Sequence, residues 1–352
     1  MKKNDDSSNP LTRRQFLKNS LSLAAGLAIG TKSALGAPAF LKNLGKPNSL
    51  IDGVQVGVIT YSYRSMPDQS AEGLLKYIVN DGINAIELMG DPAERFAGKP
   101  ENPVDRRAFY GLMRKEHNGE LTSDEQKQMD TMRAKLKEYG KKVADWRSSV
   151  SMDKFAQLRK MYNDAGVKIY AWKPSALGKN NTDDEIDYAL RAARVLGANA
   201  CTVEHPGDDA QTKKLGEIAV KHQIYVAYHA HTQATYTLWN TALEQSEYNA
   251  INFDIGHYVA SGNSVGPLQF IKEKHDRIES MHVKDRTTPA HGQKNLVWGQ
   301  GDTPITETMQ LMRDQHYTFP AAVELEYKIP NGSNAVKEVS RCVNYSRKAL
   351  NA

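Results

Sequence analysis

Five short apolar runs in the second half of the chain each end in side chains able to hold a metal ion. They read Ala200-Cys-Thr-Val-Glu204-His205, Tyr225-Val-Ala-Tyr-His229-Ala-His231, Ile251-Asn-Phe-Asp254-Ile-Gly-His257, Ser280-Met-His282-Val-Lys284-Asp285 and Ala322-Val-Glu324-Leu-Glu326. Amphipathic helical runs lie between strand-like runs of this kind along the whole chain. Such alternation builds βα units and a parallel sheet. A parallel barrel collects the polar groups at the C-terminal ends of its strands on one face, which is where such folds place their active sites.

Eight strands are expected, at residues 54–61, 85–89, 167–172, 200–204, 224–229, 250–254, 280–283 and 321–325. The expected fold is therefore a (β/α)8 TIM barrel over residues 54–350, after a linker at 37–53. An open doubly wound sheet is the other arrangement with this element order, but no Gly-rich nucleotide fingerprint follows the first strand. Residues 91–151, after the second strand, are charged and helix-forming and too long for an ordinary connection. A βα insertion emerges on the site face, so this one is expected to wall or cover the site, or else to be a solvated decoration.

Barrel closure would bring Glu204, His229, Asp254, His282 and Glu324 close together. Carboxylates and imidazoles crowded in this way need a cation, and the mixture suits a divalent ion of the manganese or zinc type, with cobalt or magnesium also possible. His229, Asp254, His282 and Glu324 are the expected ligands, with Glu204 either a further ligand or the general base. Asp254 could instead cap the following helix. Lys284 shares a strand face with His282 and could stabilise an enolate oxygen, or simply pair with Asp285. His231 and His257 are further candidates for catalysis. Glu326 lies nearer the rim than Glu324 and is a candidate to bind substrate. So are Trp298, Gly299 and Asp302 in a glycine-containing loop, and Trp172 at the end of the third strand. Tyr61, Tyr63 and Glu87 are weaker candidates for the same pocket.

The chain begins with Thr12-Arg13-Arg14-Gln15-Phe16-Leu17-Lys18, a weakly apolar stretch at 20–30 and small residues at 34–36 or 37–39. This order reads as a cleavable twin-arginine export signal over residues 1–36, implying the twin-arginine translocase as a partner, passage of a folded protein and a periplasmic destination. The apolar run is too short for a stable membrane span. With six Lys/Arg against two Asp/Glu, the segment carries +4 of the formal +5. The remaining +1 argues against a nucleic-acid partner, which requires a basic surface. Cys201 and Cys342 are expected to be packed thiols, since neither belongs to a metal-type Cys motif.

The motifs Tyr-His229-Ala-His231, Asp254-Ile-Gly-His257, His282-Val-Lys284-Asp285, Gly299-Gln-Gly301-Asp302 and Val-Glu324-Leu-Glu326 resemble those of the xylose isomerase-like barrel superfamily, the sugar phosphate isomerases and epimerases, from about residue 54 to 350. The resemblance implies one divalent metal, commonly manganese, held by Glu, Asp, His and Glu. The last three carry over to Asp254, His282 and Glu324. Strand 5 departs from the pattern, with His229 where many members have Glu, so a two-base epimerisation is in doubt and Glu204 is left as ligand or base. Implied activities are isomerisation or epimerisation of a sugar or keto-sugar by proton abstraction beside a carbonyl. On the same scaffold, exported relatives suggest β-elimination of a 3-keto-glycoside. An endonuclease IV-like phosphodiesterase is opposed by charge and export, and a non-catalytic carbohydrate-binding barrel by the retained ligands.

Overall fold

A computed structural model describes residues 45–352, so the expected export signal lies outside the described residues. A short strand, Leu50–Ile51, pairs antiparallel with the first barrel strand. The barrel strands are β1 (Val54–Ile59), β2 (Ala85–Met89), β3 (Lys168–Lys173), β4 (Ala200–Glu204), β5 (Tyr225–His229), β6 (Asn249–Asp254), β7 (Ile278–Val283) and β8 (Ala321–Val323). Each pairs in parallel with its neighbours, and β1 pairs with both β2 and β8, so the sheet closes. The expected (β/α)8 architecture is the observed one.

Helix boundaries follow local chemistry. Thr182 caps helix Asp183–Leu196 in a reciprocal box with Glu185, and Gly197 ends it in the left-handed conformation at φ 79°, where only glycine sits without steric cost. The helix turns its apolar residues, Ile186, Tyr188, Leu190 and Leu196 among them, onto the sheet. Cys201 and Cys342 are buried free thiols, as expected. No helix among the described residues is long and apolar enough to cross a membrane.

Two register shifts decide which side chains reach the barrel interior. Between β2 and β3 the pairing runs from Ile86↔Ile169 to Glu87↔Ala171, so Tyr170 is an extra residue. Between β6 and β7 it runs from Ile251↔Ile278 to Asn252↔Ser280, making Glu279 extra. One extra residue inverts the alternation beyond it. Ser280, His282 and Lys284 therefore point inward on β7 and just beyond it. On β3 the shift turns Trp172 outward, where it meets Phe155 and Tyr188 edge-on, and Lys173 toward the site.

The stretch between β2 and β3 contains helices Gly90–Phe96, Arg106–His117 and Ser123–Ser149 before the crossover helix Asp153–Asp164. Helix Ser123–Ser149 is bolted to the barrel by Arg147, whose Nε and Nη2 donate to Glu94 Oε1 at 3.1 and 2.9 Å and whose Nη1 donates to Glu185 at 2.8 Å. Lys99 donates to the other Glu94 oxygen at 2.9 Å. Both Arg147 and Glu94 are buried, and a buried pair that loses one partner strands the other's charge. The Arg147→Met variant is expected to lose about 3–5 kcal/mol in urea unfolding and to become protease-sensitive within the insertion. Unchanged stability would show that the bolt carries no weight.

Asp81 adds a pH dependence. It follows the C-terminus of helix Ala71–Asn80, where the helix dipole disfavours an anion, and its hydrogen-bond donors among the described residues, Tyr63 Oη and Ser340 Oγ, both at 2.7 Å, are neutral. Burial pushes its pKa up to about 7, although the two hydroxyls pull the other way. The unfolded value is about 3.9, so the native state holds this proton more tightly. The resulting stabilisation is complete below about pH 4 and is lost as the pH rises through the folded-state value. Thermal melts should show on the order of 2–4 kcal/mol lost between pH 5 and 8, and a clearly smaller loss for Asp81→Asn.

Candidate metal centre and active site

The site is built in layers up the barrel. Ala200, Ala227 and Ala250 form one small interior cluster, and Ala85, Tyr170, Ala171 and Ala322 another. Above these clusters lies a hydrogen-bonded polar layer. Glu87 of β2 accepts from Thr202 Oγ1 at 2.6 Å, and Asn252 Nδ2 donates to Ser280 Oγ at 2.7 Å and more distantly to Glu87 at 3.3 Å. Next come His229, Asp254, His282 and Glu324, all buried, with one potential ligand atom each lying within 4.8 Å of the others. Glu204, His231, His257, Lys284 and Glu326 surround the top.

The polar layer aims the upper one. His229 Nδ1 is 2.8 Å from Asn252 Oδ1, an oxygen that can only accept. His229 therefore carries its proton on Nδ1 and leaves Nε2 bare. His282 Nε2 is 2.8 Å from Glu87 Oε2. Donation there leaves His282 Nδ1 to face Glu324 Oε2 at 3.1 Å and Asp254 Oδ2 at 3.9 Å, where a bound cation would displace its proton. His282 Nδ1, Asp254 Oδ2 and Glu324 Oε2 are all buried without a directed hydrogen bond. Three converging ligand atoms, none with a directed hydrogen bond although the Lys284 ammonium lies beside both oxygens, and imidazoles oriented from behind by an amide and a carboxylate, fit a divalent cation.

Asp254 caps a helix and also turns an oxygen toward the cluster. Its Oδ1 accepts from His257 N at 2.7 Å and caps helix Ile255–Ala260, while its Oδ2 points into the cluster. Gly256 is required beside it, because a Cβ there would lie 2.4 Å from Lys284 Cγ.

The electrostatics are those of a closely coupled charge cluster. Burial raises the Asp254 pKa, opposed by Lys284. Burial also opposes charge on Glu324, but Lys284 and His282 hold it well below the usual carboxylate range. In the same way burial disfavours a charged His282, yet Glu87 and Glu324 push it up to about 10. Burial and the Lys284 ammonium push His257 down to about 2, which keeps it neutral. His229 is also held neutral, chiefly by burial.

Lys284 Nζ lies 2.9 Å from Asp254, 2.7 Å from Glu324 and 2.8 Å from Glu326. It does not pair with Asp285, which corrects that alternative. Asp285 instead accepts from the backbone N–H groups of Gly299, Gln300, Gly301 and Thr303 and shapes the loop after β7. Gly301 is needed for this, since a Cβ would fall 2.3 Å from the Asp285 carboxylate.

Several expected site residues lie elsewhere. Glu204 is outside the buried ligand group. It is half exposed, held by Lys173 at 2.8 Å and 3.6 Å from His231 Nε2, so it is corrected from ligand to rim residue. Trp172 is fully buried against the outer helices, because the β3 bulge reversed its facing. Trp298 is buried edge-on against Tyr345 and offers no open ring face. The Gly299 N–H is already used by Asp285. Asp302 braces Thr288 and His291 rather than facing the cluster. Of the weaker candidates, Tyr63 is buried on Asp81 and Tyr61 stacks beneath Arg64.

Glu87 moves from the margin to the base of the site. Lys173, Asn252, Thr202 and Arg286 join it without having been singled out in the sequence. For Lys173, the signal would have been a bulge that no residue type announces.

Comparison with known proteins adds the following. Residues 76–345 match the profile of a family described as xylose isomerase-like TIM barrel. No curated protein sequence matches the chain. Among solved structures, a sugar phosphate isomerase/epimerase from Parabacteroides distasonis is similar, with 16% identity, 85% of this chain and 95% of that one covered, and a TM-score of 0.53. A D-psicose 3-epimerase from Clostridium cellulolyticum, solved with D-tagatose, gives 11%, 84% and 99%, and 0.55. A probable 3-DHS dehydratase from Bacillus anthracis gives 13%, 83% and 98%, and 0.55. At these identities the likeness is one of fold.

Proposed function

This chain belongs to the xylose isomerase-like TIM barrel family, and on that premise we propose that it is a divalent-metal-dependent enzyme that removes a proton beside the carbonyl of a sugar or keto-sugar. The observation that carries this reading is the convergence of His282 Nδ1, Asp254 Oδ2 and Glu324 Oε2 as buried ligand atoms without a directed hydrogen bond. With His229 they would hold the ion, and manganese suits two carboxylates and two imidazoles. The bound ion supplies Lewis acidity toward a carbonyl and a neighbouring hydroxyl.

The remaining work falls to side chains at the mouth. His231 is exposed and takes the proton, and Glu204, 3.6 Å from its Nε2, stabilises the imidazolium that forms. Lys284 offers N–H donors to the oxygen on which negative charge develops. Glu326, whose side chain is 22% exposed at the rim, accepts from substrate hydroxyls.

Reprotonation of the carbanion gives isomerisation or epimerisation, and loss of a β-oxygen gives elimination. Two features favour elimination of a 3-keto-glycoside as the specific reaction. β5 brings an imidazole rather than a carboxylate to the ligand group, and Glu204 is tied to Lys173 at the rim. Neither residue therefore supplies the pair of opposed carboxylate bases that a two-base epimerisation needs. Export through the twin-arginine route to the periplasm belongs to the same reading and favours unphosphorylated substrates.

The test is metal analysis of purified protein, followed by keto-sugars and 3-keto-glycosides assayed with and without chelator. Stoichiometric divalent metal and chelator-sensitive turnover are expected, with solvent deuterium appearing beside the carbonyl only where the carbanion is reprotonated and not where it expels the β-oxygen. Metal-free protein whose turnover ignores chelator would sink the reading. Release of aglycone selects elimination, whereas an inverted, deuterated sugar selects epimerisation.

A further inference from the structure

His257 sits between two cations. Arg286 Nη1 is 2.5 Å from its Nδ1, and Lys284 Nζ is 3.0 Å from its Nε2. A neutral imidazole accepts at one nitrogen only, and both neighbours are donors. One of the two contacts must therefore be a hydrogen bond and the other a juxtaposition of donors.

The surroundings decide between them. Arg286 has no second protonation state. Its side chain is buried, its Nη2 is committed to the Gln293 carbonyl at 2.7 Å, and its backbone N–H is held by Thr303 Oγ1 at 3.0 Å. The guanidinium cannot turn away from Nδ1 without losing the Gln293 contact. Lys284 has freely rotating protons, a directed hydrogen bond to Glu326 at 2.8 Å and ion-pair contacts with Asp254 and Glu324 at 2.9 and 2.7 Å, so its ammonium is held in place without His257 as an acceptor.

We propose that Arg286 is a positioning residue that fixes His257 as its Nε2–H tautomer, making His257 a hydrogen-bond donor to a substrate oxygen and not a base. The Nε2–H has no carboxylate in hydrogen-bonding reach, the nearest oxygens being Glu326 Oε2 at 3.8 Å and Asp254 Oδ2 at 3.9 Å. It therefore stands beside the Lys284 ammonium as an unpaired donor at the mouth of the site. Two adjacent donors select an oxygen carrying negative charge or a carbonyl lone pair, such as an enolate oxygen or a keto group. The same arrangement argues against a second metal ion on His229, His231 and His257, although those three also cluster, because neither His257 nitrogen faces away from a cation.

The role toward substrate rests on the carbohydrate reading above, whereas the tautomer does not, and the experiment separates them. Protein labelled with 15N-histidine and loaded with diamagnetic magnesium is observed by long-range 15N–1H correlation, with His257→Gln identifying the resonance among ten histidines. The expected ring has a protonated Nε2 and a bare Nδ1. In Arg286→Met, Nδ1 loses its donor, Nε2 accepts from Lys284, and the tautomer reverses. Arg286→Lys restores the original form at least in part. In turnover assays Arg286→Met lowers kcat more than tenfold with little change in KM.

An Nδ1–H tautomer in the unmodified protein would overturn the inference without any variant having to fold, and so would an unchanged ring in a folded Arg286→Met. The expected ring in a protein that turns over no carbohydrate upholds the tautomer and overturns its role toward a sugar.

Discussion

Asp254→Asn abolishes useful metal binding while leaving the barrel folded. The asparagine keeps the side-chain oxygen that accepts from His257 N and caps helix Ile255–Ala260, and asparagine caps as well as aspartate. The charged ligand atom facing His282 and Glu324 is lost. Removing a residue that merely supports a ligand weakens metal binding by about 10–100-fold, so loss of the ligand itself should cost at least the upper end of that range. The readout is thermodynamic. A metal at 100 times its Kd stabilises the native state by about 2.7 kcal/mol, and the same concentration at a Kd 100-fold weaker by only about 0.4 kcal/mol. Denaturant titrations with and without manganese should show this contrast between the two proteins. A variant that keeps full metal content and the full stability increment would remove Asp254 from the ligand set.

Lys284→Met should be the most destabilising single change at the site. It leaves Asp254, Glu324 and Glu326 facing one another without the ammonium that now lies within 2.9 Å of each. Breaking a buried ion pair by removing one partner costs about 3–5 kcal/mol. A divalent cation would replace part of the missing positive charge, so the variant's melting temperature should depend on metal more strongly than that of the unmodified protein. Turnover should still fall by about 100–1,000-fold with metal restored, the usual consequence of losing a donor to a developing oxyanion. Equal melting temperatures for the two proteins in chelator would show that the lysine does not neutralise the cluster.

The architecture was legible because apolar strand runs and amphipathic helices alternate with little ambiguity, and because His229, Asp254, His282 and Glu324 all close or follow such runs. Positions that depend on a one-residue shift were not legible. The extra residue Tyr170 exchanges the facings of Trp172 and Lys173, and alternation counted along the sequence cannot register an unannounced bulge. Asn252 and Thr202 escaped notice because a neutral polar side chain in a strand reads as unremarkable until its partner is known. Arg286 escaped because its role depends on His257, 29 residues away in sequence. Trp298 misled in the opposite direction, since an aromatic residue beside glycines can as readily pack inward as face a ligand.

Glu87 and His282 are separated by 195 residues and belong to β2 and β7. The histidine's orientation therefore has its origin near the beginning of the chain, and a ribosome must release nearly the whole polypeptide before the two can meet. A half-made barrel contains the right donor types without the means to aim them. Any selection among competing ions would accordingly begin only when the last strand has docked, from the free-ion pool surrounding the chain at that moment.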